Sequence, residues 1–142
     1  MSNSFAVGRR PVVTNWTITV AGIQALVVAT LRACAEGELA KEALRTMIMA
    51  EELENKYVLD EVSDSLRFKT QSFALVSRAL SSKENISMLP GLLDSLMGNT
   101  SSPTLPSRSL LSLCQRLSLE QGDAGVEDHI KALTVKLGYS TL

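Results

Sequence analysis

Apolar positions along this chain fall into one unbroken run followed by several periodic ones. The run is Trp16 to Ala35, WTITVAGIQALVVATLRACA, which holds no acid, a single base (Arg32) and a single amide (Gln24). Ile18, Val20, Ile23, Val27 and Val28 would occupy every face of a helix, so periodicity alone does not separate a buried helix from a buried strand. Length does, because the run is far longer than an ordinary strand. Asn15 or Thr17 can accept hydrogen bonds from first-turn amides, and Gly37 can take the left-handed conformation that closes a helix. The pattern therefore predicts a helix over about 16–36. Being apolar all round, it is expected to form the centre of the fold.

A membrane span requires about 20 predominantly apolar residues. The unbroken part here, Ile18 to Leu31, is shorter and carries Thr19, Gln24 and Thr30, so no membrane span is expected. Arg9-Arg10 ahead of the run and Ala33-Cys34-Ala35 at its end have the outline of a secretory leader, against which the buried-core helix is the preferred reading.

Beyond Gly37 the pattern becomes amphipathic. Leu39, Ala43, Leu44, Met47 and Ile48 share one face, with Glu38, Lys41, Glu42 and Arg45 mostly on the other, which predicts a second helix over about 38–55. Val58, Val62, Leu66, Phe73, Val76 and Leu80 recur at threes and fours, interrupted where Lys69 occupies the seam. They predict a third helix over about 57–80. The break near Asn55 reads as a kink, a tight turn or no break at all. Asn85 to Ser87 read as turn and cap residues, with Pro90 in the first turn of a short fourth helix carrying Leu89, Leu92, Leu93, Leu96 and Met97. A loop follows at about 98–107, NTSSPTLPS at its heart, where Ser102-Pro103 reads as plain connector.

Two more helices close the chain. One runs from about Ser107 to Glu120 with Leu110, Leu113, Cys114 and Leu117 inward, and the other from about Gly125 to Leu137 with Val126, Ile130, Leu133 and Leu137 on one stripe. Gly122 and Gly138 are their stops, and the tail from Tyr139 reads as loose. Residues 1–14 read as an extended N-terminal arm, because Gly8 and Pro11 break helices and Val12-Val13-Thr14 favour extension. The expected fold class is all-α: one domain over 15–142, a bundle of about six helices around the central apolar helix.

At 142 residues the chain can bury a core without metal or disulfide support. Its two cysteines, Cys34 and Cys114, lie far apart in apolar segments and read as small buried hydrophobes, which favours a reducing, cytoplasmic compartment. The three matches to the glycosylation pattern, at Asn15, Asn85 and Asn99, carry no weight in such a compartment. A formal net charge of −1 excludes a surface built wholly for nucleic acid, but not a local basic patch.

The search for chemistry finds little. His129 is the single histidine, lacks any metal-ligand spacing and reads as a solvent-facing helix residue. Glu51, Glu52 and Glu54 lack the matching acids and histidines of a di-metal bundle and read as a solvated face. Phosphate loops, nucleophile elbows and calcium loops are absent. The expectation is a protein that is not an enzyme, with no cofactor, metal or small-molecule substrate.

Charge distribution is more telling. Residues 36–64 carry nine acids against three bases, whereas residues 65–118 carry six bases (Arg67, Lys69, Arg78, Lys83, Arg108, Arg116) against two acids. Such a bipolar chain can steer copies of itself together or recruit a charged partner. The first functional expectation is thus a helical protein-protein interaction module or adaptor that forms a homo-oligomer or docks on another helical protein, with Phe5, Val7, Arg9 and Arg10 of the arm as contact residues. The alternative is an RNA-binding accessory or coat-like subunit whose Arg67, Lys69, Arg78 and Lys83, with Arg9 and Arg10, contact phosphates.

Overall fold

The computed structural model describes residues 12–57, 65–98 and 105–139. These form six helices and no strand: α1 Val12–Gly37, α2 Ala40–Tyr57, α3 Ser65–Leu80, α4 Lys83–Gly98, α5 Arg108–Glu120 and α6 Ala124–Lys136. The all-α bundle expected from periodicity is what the chain forms. Among the described residues no helix is long and apolar enough to cross a membrane. Several expectations lie outside the described residues: the arm residues Phe5, Val7, Arg9 and Arg10, the seam positions Val58 and Val62 with the junction between the second and third helices, and Ser102.

Helix α1 starts at Val12, so Val12 to Thr14 are helical rather than extended. Its end also differs from expectation. The left-handed residue is Glu38 (φ 53°), not Gly37, and the Leu39 amide reaches back to the Cys34 carbonyl at 2.9 Å. That long return bond satisfies one of the orphan carbonyls of the last turn. Gly37 is instead a matter of space, since a Cβ there would lie 3.3 Å from Leu39 Cγ.

The main correction concerns where α1 lies. It packs chiefly on α2 and α3, and among its residues 21–37, whose burial is described, the members of the buried core are Leu31, Cys34 and Ala35. Ala21, Gly22, Ala25, Leu26, Ala29 and Thr30 are exposed, Leu26 at 67 %. The central apolar helix of the sequence reading is thus peripheral over much of its described length. Two neighbours can cover about two flanks of a helix and no more. The fully buried centre takes Leu31 from the described part of α1 and is otherwise built from Leu44 and Met47 of α2, Val76 and Leu80 of α3, Ile86, Leu89 and Leu93 of α4, Leu110, Leu111 and Cys114 of α5, and Ile130 of α6.

In α3 the expected seam holds at the buried Val76 and Leu80 and the half-buried Phe73 but fails at Leu66. Leu66 is 75 % exposed, and the buried stripe runs through Phe68, Ser72, Leu75, Val76, Ala79 and Leu80. Ser72 hid this stripe in the sequence, because a serine does not register as an inward position. Helix α4 begins before the expected turn. Ser82 Oγ accepts from the Asn85 amide at 3.1 Å, so Ser82 is the cap and Asn85 belongs to the helix. Pro90 accordingly falls inside α4 rather than in its first turn.

The last two helices begin and end as read. Ser107 and Asp123 cap α5 and α6 through Leu110 N–H and Val126 N–H, and Gly122 and Gly138 follow with φ of +73° and +81°. The Ser107 hydroxyl also donates to Glu51 Oε2 at 2.7 Å. Glu51 is therefore half-buried at the entrance to α5, where a carboxylate suits the helix dipole, rather than part of a solvated acidic face. Ser107→Ala removes both bonds and is expected to lower stability by about 1–2 kcal/mol in urea titration. Nor is Tyr139 loose, since its hydroxyl donates to the Pro106 carbonyl at 2.7 Å and holds the end of α6 against the entrance to α5.

Candidate functional site

Helix α3 packs on α1 along one flank and on α5 along another, and each junction leaves a groove. The α1–α3 groove, about 330 Å³, is lined by Ala25, Val28 and Ala29 of α1 and by Phe68 of α3, with the exposed Arg32 and Arg67 among its walls. It adjoins the exposed face of α1. The sequence holds no charged residue from Pro11 to Leu31, so that face is free of charge until Arg32.

The α3–α5 groove differs in character. One lobe, about 490 Å³, is lined by Phe73 with Arg108, Ser109, Ser112 and Arg116. The second, about 580 Å³, is lined by Lys69, Thr70, Phe73, Ser77, Arg78 and Arg116. Phe73 and Arg116 belong to both lobes, so the two are neighbours. Among the described residues no acid lines either one. The helical repeat explains the arrangement: Arg108, Ser112 and Arg116 are spaced by four and form a row along α5, facing a row on α3 that runs from Lys69 through Phe73 to Ser77 and Arg78. Lys69 and Arg108 also interact within the chain.

The residues singled out for phosphate contact are thereby divided. Lys69 and Arg78 line the α3–α5 groove together. Arg67 lines the α1–α3 groove, and Lys83, the first residue of α4, lines none of the three cavities. Arg108 and Arg116 were counted in the basic segment but not chosen as contacts. Their spacing of eight, with serines between, was the available signal.

Other groups offer little chemistry. His129, its side chain 39 % exposed, lies 3.8 Å from the exposed Asp94 of α4. Cys34 and Cys114 are both buried and unlinked. Burial pushes the Cys114 thiol up to about 12, and burial with the negative charge of Glu42 raises that of Cys34, so both thiols stay protonated and poorly nucleophilic at neutral pH. Among the described residues no cluster of histidine, cysteine or acids could hold a metal ion.

No known protein family, curated protein or solved structure matches this chain.

Proposed function

We propose that this protein is a non-enzymatic helical interaction module that self-associates through the exposed face of α1. The observation that carries the reading is the run of exposed, uncharged residues Ala21, Gly22, Ala25, Leu26 and Ala29 on a helix covered chiefly by α2 and α3. Leaving such a surface in water is unfavourable by about 25 cal/mol for each Å² of apolar area. A second copy is the occupant that fits. From Ala21 to Thr30 the face is uncharged, with Arg32 and Arg67 at its edge, and its small residues allow the backbones of two helices to approach closely. Phe5, Val7, Arg9 and Arg10 join this proposal as additional contacts from the preceding segment.

The test is the molar mass in solution, at low and high salt, of the full chain, a chain beginning at Pro11, and Leu26→Arg. The full chain is expected at a multiple of the monomer mass, held or strengthened by salt, because apolar contacts are not screened. Leu26→Arg is expected to weaken association at least tenfold by placing a charge in the contact. Loss of association in the shortened chain would assign the arm residues a part in it. A full chain that stays monomeric at every concentration and salt level refutes the proposal.

A further inference from the structure

The geometry points to the α3–α5 groove as a binding site for single-stranded nucleic acid, held through its phosphates and stacked on Phe73. The first argument is charge. Four cations, Lys69, Arg78, Arg108 and Arg116, line two adjoining lobes to which no acid contributes among the described residues, in a chain whose net charge is −1. Basic residues scattered for solubility would be interleaved with acids, whereas here the acids are concentrated in residues 36–64. Arg78 and Arg116 carry most of the argument, since Lys69 and Arg108 have interactions inside the chain as well.

Length is the second argument. From Arg108 to Arg116 the row advances about 12 Å along α5, at 1.5 Å per residue. Stacked nucleotides rise about 3.4 Å each along one strand, so the row spans three to four of them. An isolated phosphate would occupy only one end. The hydroxyls of Thr70, Ser77, Ser109 and Ser112 add neutral donors of the kind that meet phosphate oxygens. Phe73 is the third argument, because it is half-buried and lines both lobes. A partly exposed ring between two cationic lobes offers a base a stacking surface that a paired, stacked duplex cannot use, and stacking does not depend on sequence.

The proposal is tested on the full chain by fluorescence anisotropy with end-labelled 12-nucleotide oligouridylate and oligothymidylate at 50 and 200 mM salt. Both are expected to bind. Two to four neutralised phosphates predict a loss of affinity of about 7- to 50-fold across that salt range. Arg78→Ala/Arg116→Ala removes two exposed cations and is expected to reduce the log-log salt slope by about 1.4 while the unfolding temperature stays unchanged. Phe73→Leu keeps an apolar side chain against the core and is expected to weaken binding about fivefold or more.

Absence of binding at 50 mM salt overturns the proposal, as does equal binding by the double arginine variant. Equal competition by a duplex of the same length overturns the assignment to single strands, and equal competition by polyglutamate overturns the assignment to nucleic acid. Leu26 lines neither lobe, so Leu26→Arg is expected to keep oligonucleotide affinity even where it abolishes self-association. The two proposals can therefore fail separately.

Discussion

Leu44→Ala is expected to destabilise the fold by about 3–5 kcal/mol, whereas Leu66→Ala, at an equally apolar letter of the sequence, is expected to change stability by less than about 0.5 kcal/mol. Leu44 has no exposed surface and belongs to α2, which packs against α1, α3 and α4. Truncating it removes apolar contacts and leaves a cavity that three flanking helices cannot all close, because close-packed interiors relax only in part. Leu66 is largely exposed at the start of α3 and gives up little. Urea unfolding of both variants, with the m-value unchanged, is the measurement. Equal losses at the two positions would mean that Leu66 faces inward, as the seam read from the sequence has it.

Asn85→Ala is expected to lower stability by about 2–4 kcal/mol, although Asn85 is polar and lies in a stretch that reads as a turn. Its side chain is 7 % exposed, and Nδ2 donates to the Glu38 carbonyl at 3.1 Å and to the Ala79 carbonyl at 2.9 Å. One amide thereby joins the corner between α1 and α2, the end of α3 and the first turn of α4. Removing it leaves two carbonyls short of a donor, one of them buried, and an unsatisfied buried polar group is more costly than the hydrogen bond was favourable. Asn85→Asp is the sharper variant. It keeps the shape but sets a carboxylate against two carbonyl oxygens, so its loss at neutral pH is expected to equal or exceed that of alanine. If Asn85→Asp unfolds at the wild-type urea concentration, the side chain is not the joint described.

If the chain is a dimer through Leu26, the apolar run of the sequence is buried after all, between subunits rather than within one. The bipolar charge then has a separate use, since four of the six bases of residues 65–118 line the α3–α5 groove while nine of the chain's fifteen acids fall in residues 36–64. Self-association and strand binding would in that case occupy different faces.

Much of the bundle was legible because its signals are local. Helix stops at Gly122 and Gly138 and the inward leucines of α5 depend on neighbours within a turn or two, which the sequence displays directly. The site was legible only in part. Lys69 and Arg78 were recognisable as basic positions on one helix, but their partnership with Arg108 and Arg116 depends on α3 meeting α5, a contact between segments about forty residues apart.

Fold class, helix count and the charge division between residues 36–64 and 65–118 come from the sequence by itself, because composition and a period of 3.6 are properties of the chain before it folds. Tertiary structure decided which apolar face is covered, and so turned α1 from an expected centre into an exposed flank. It also decided that Asn85 is a buried joint rather than a turn, and that Ser72 faces inward while Leu66 faces out. The reason is the same in each case: burial and hydrogen-bond satisfaction depend on what the other helices bring, and the identity of a residue does not carry that information.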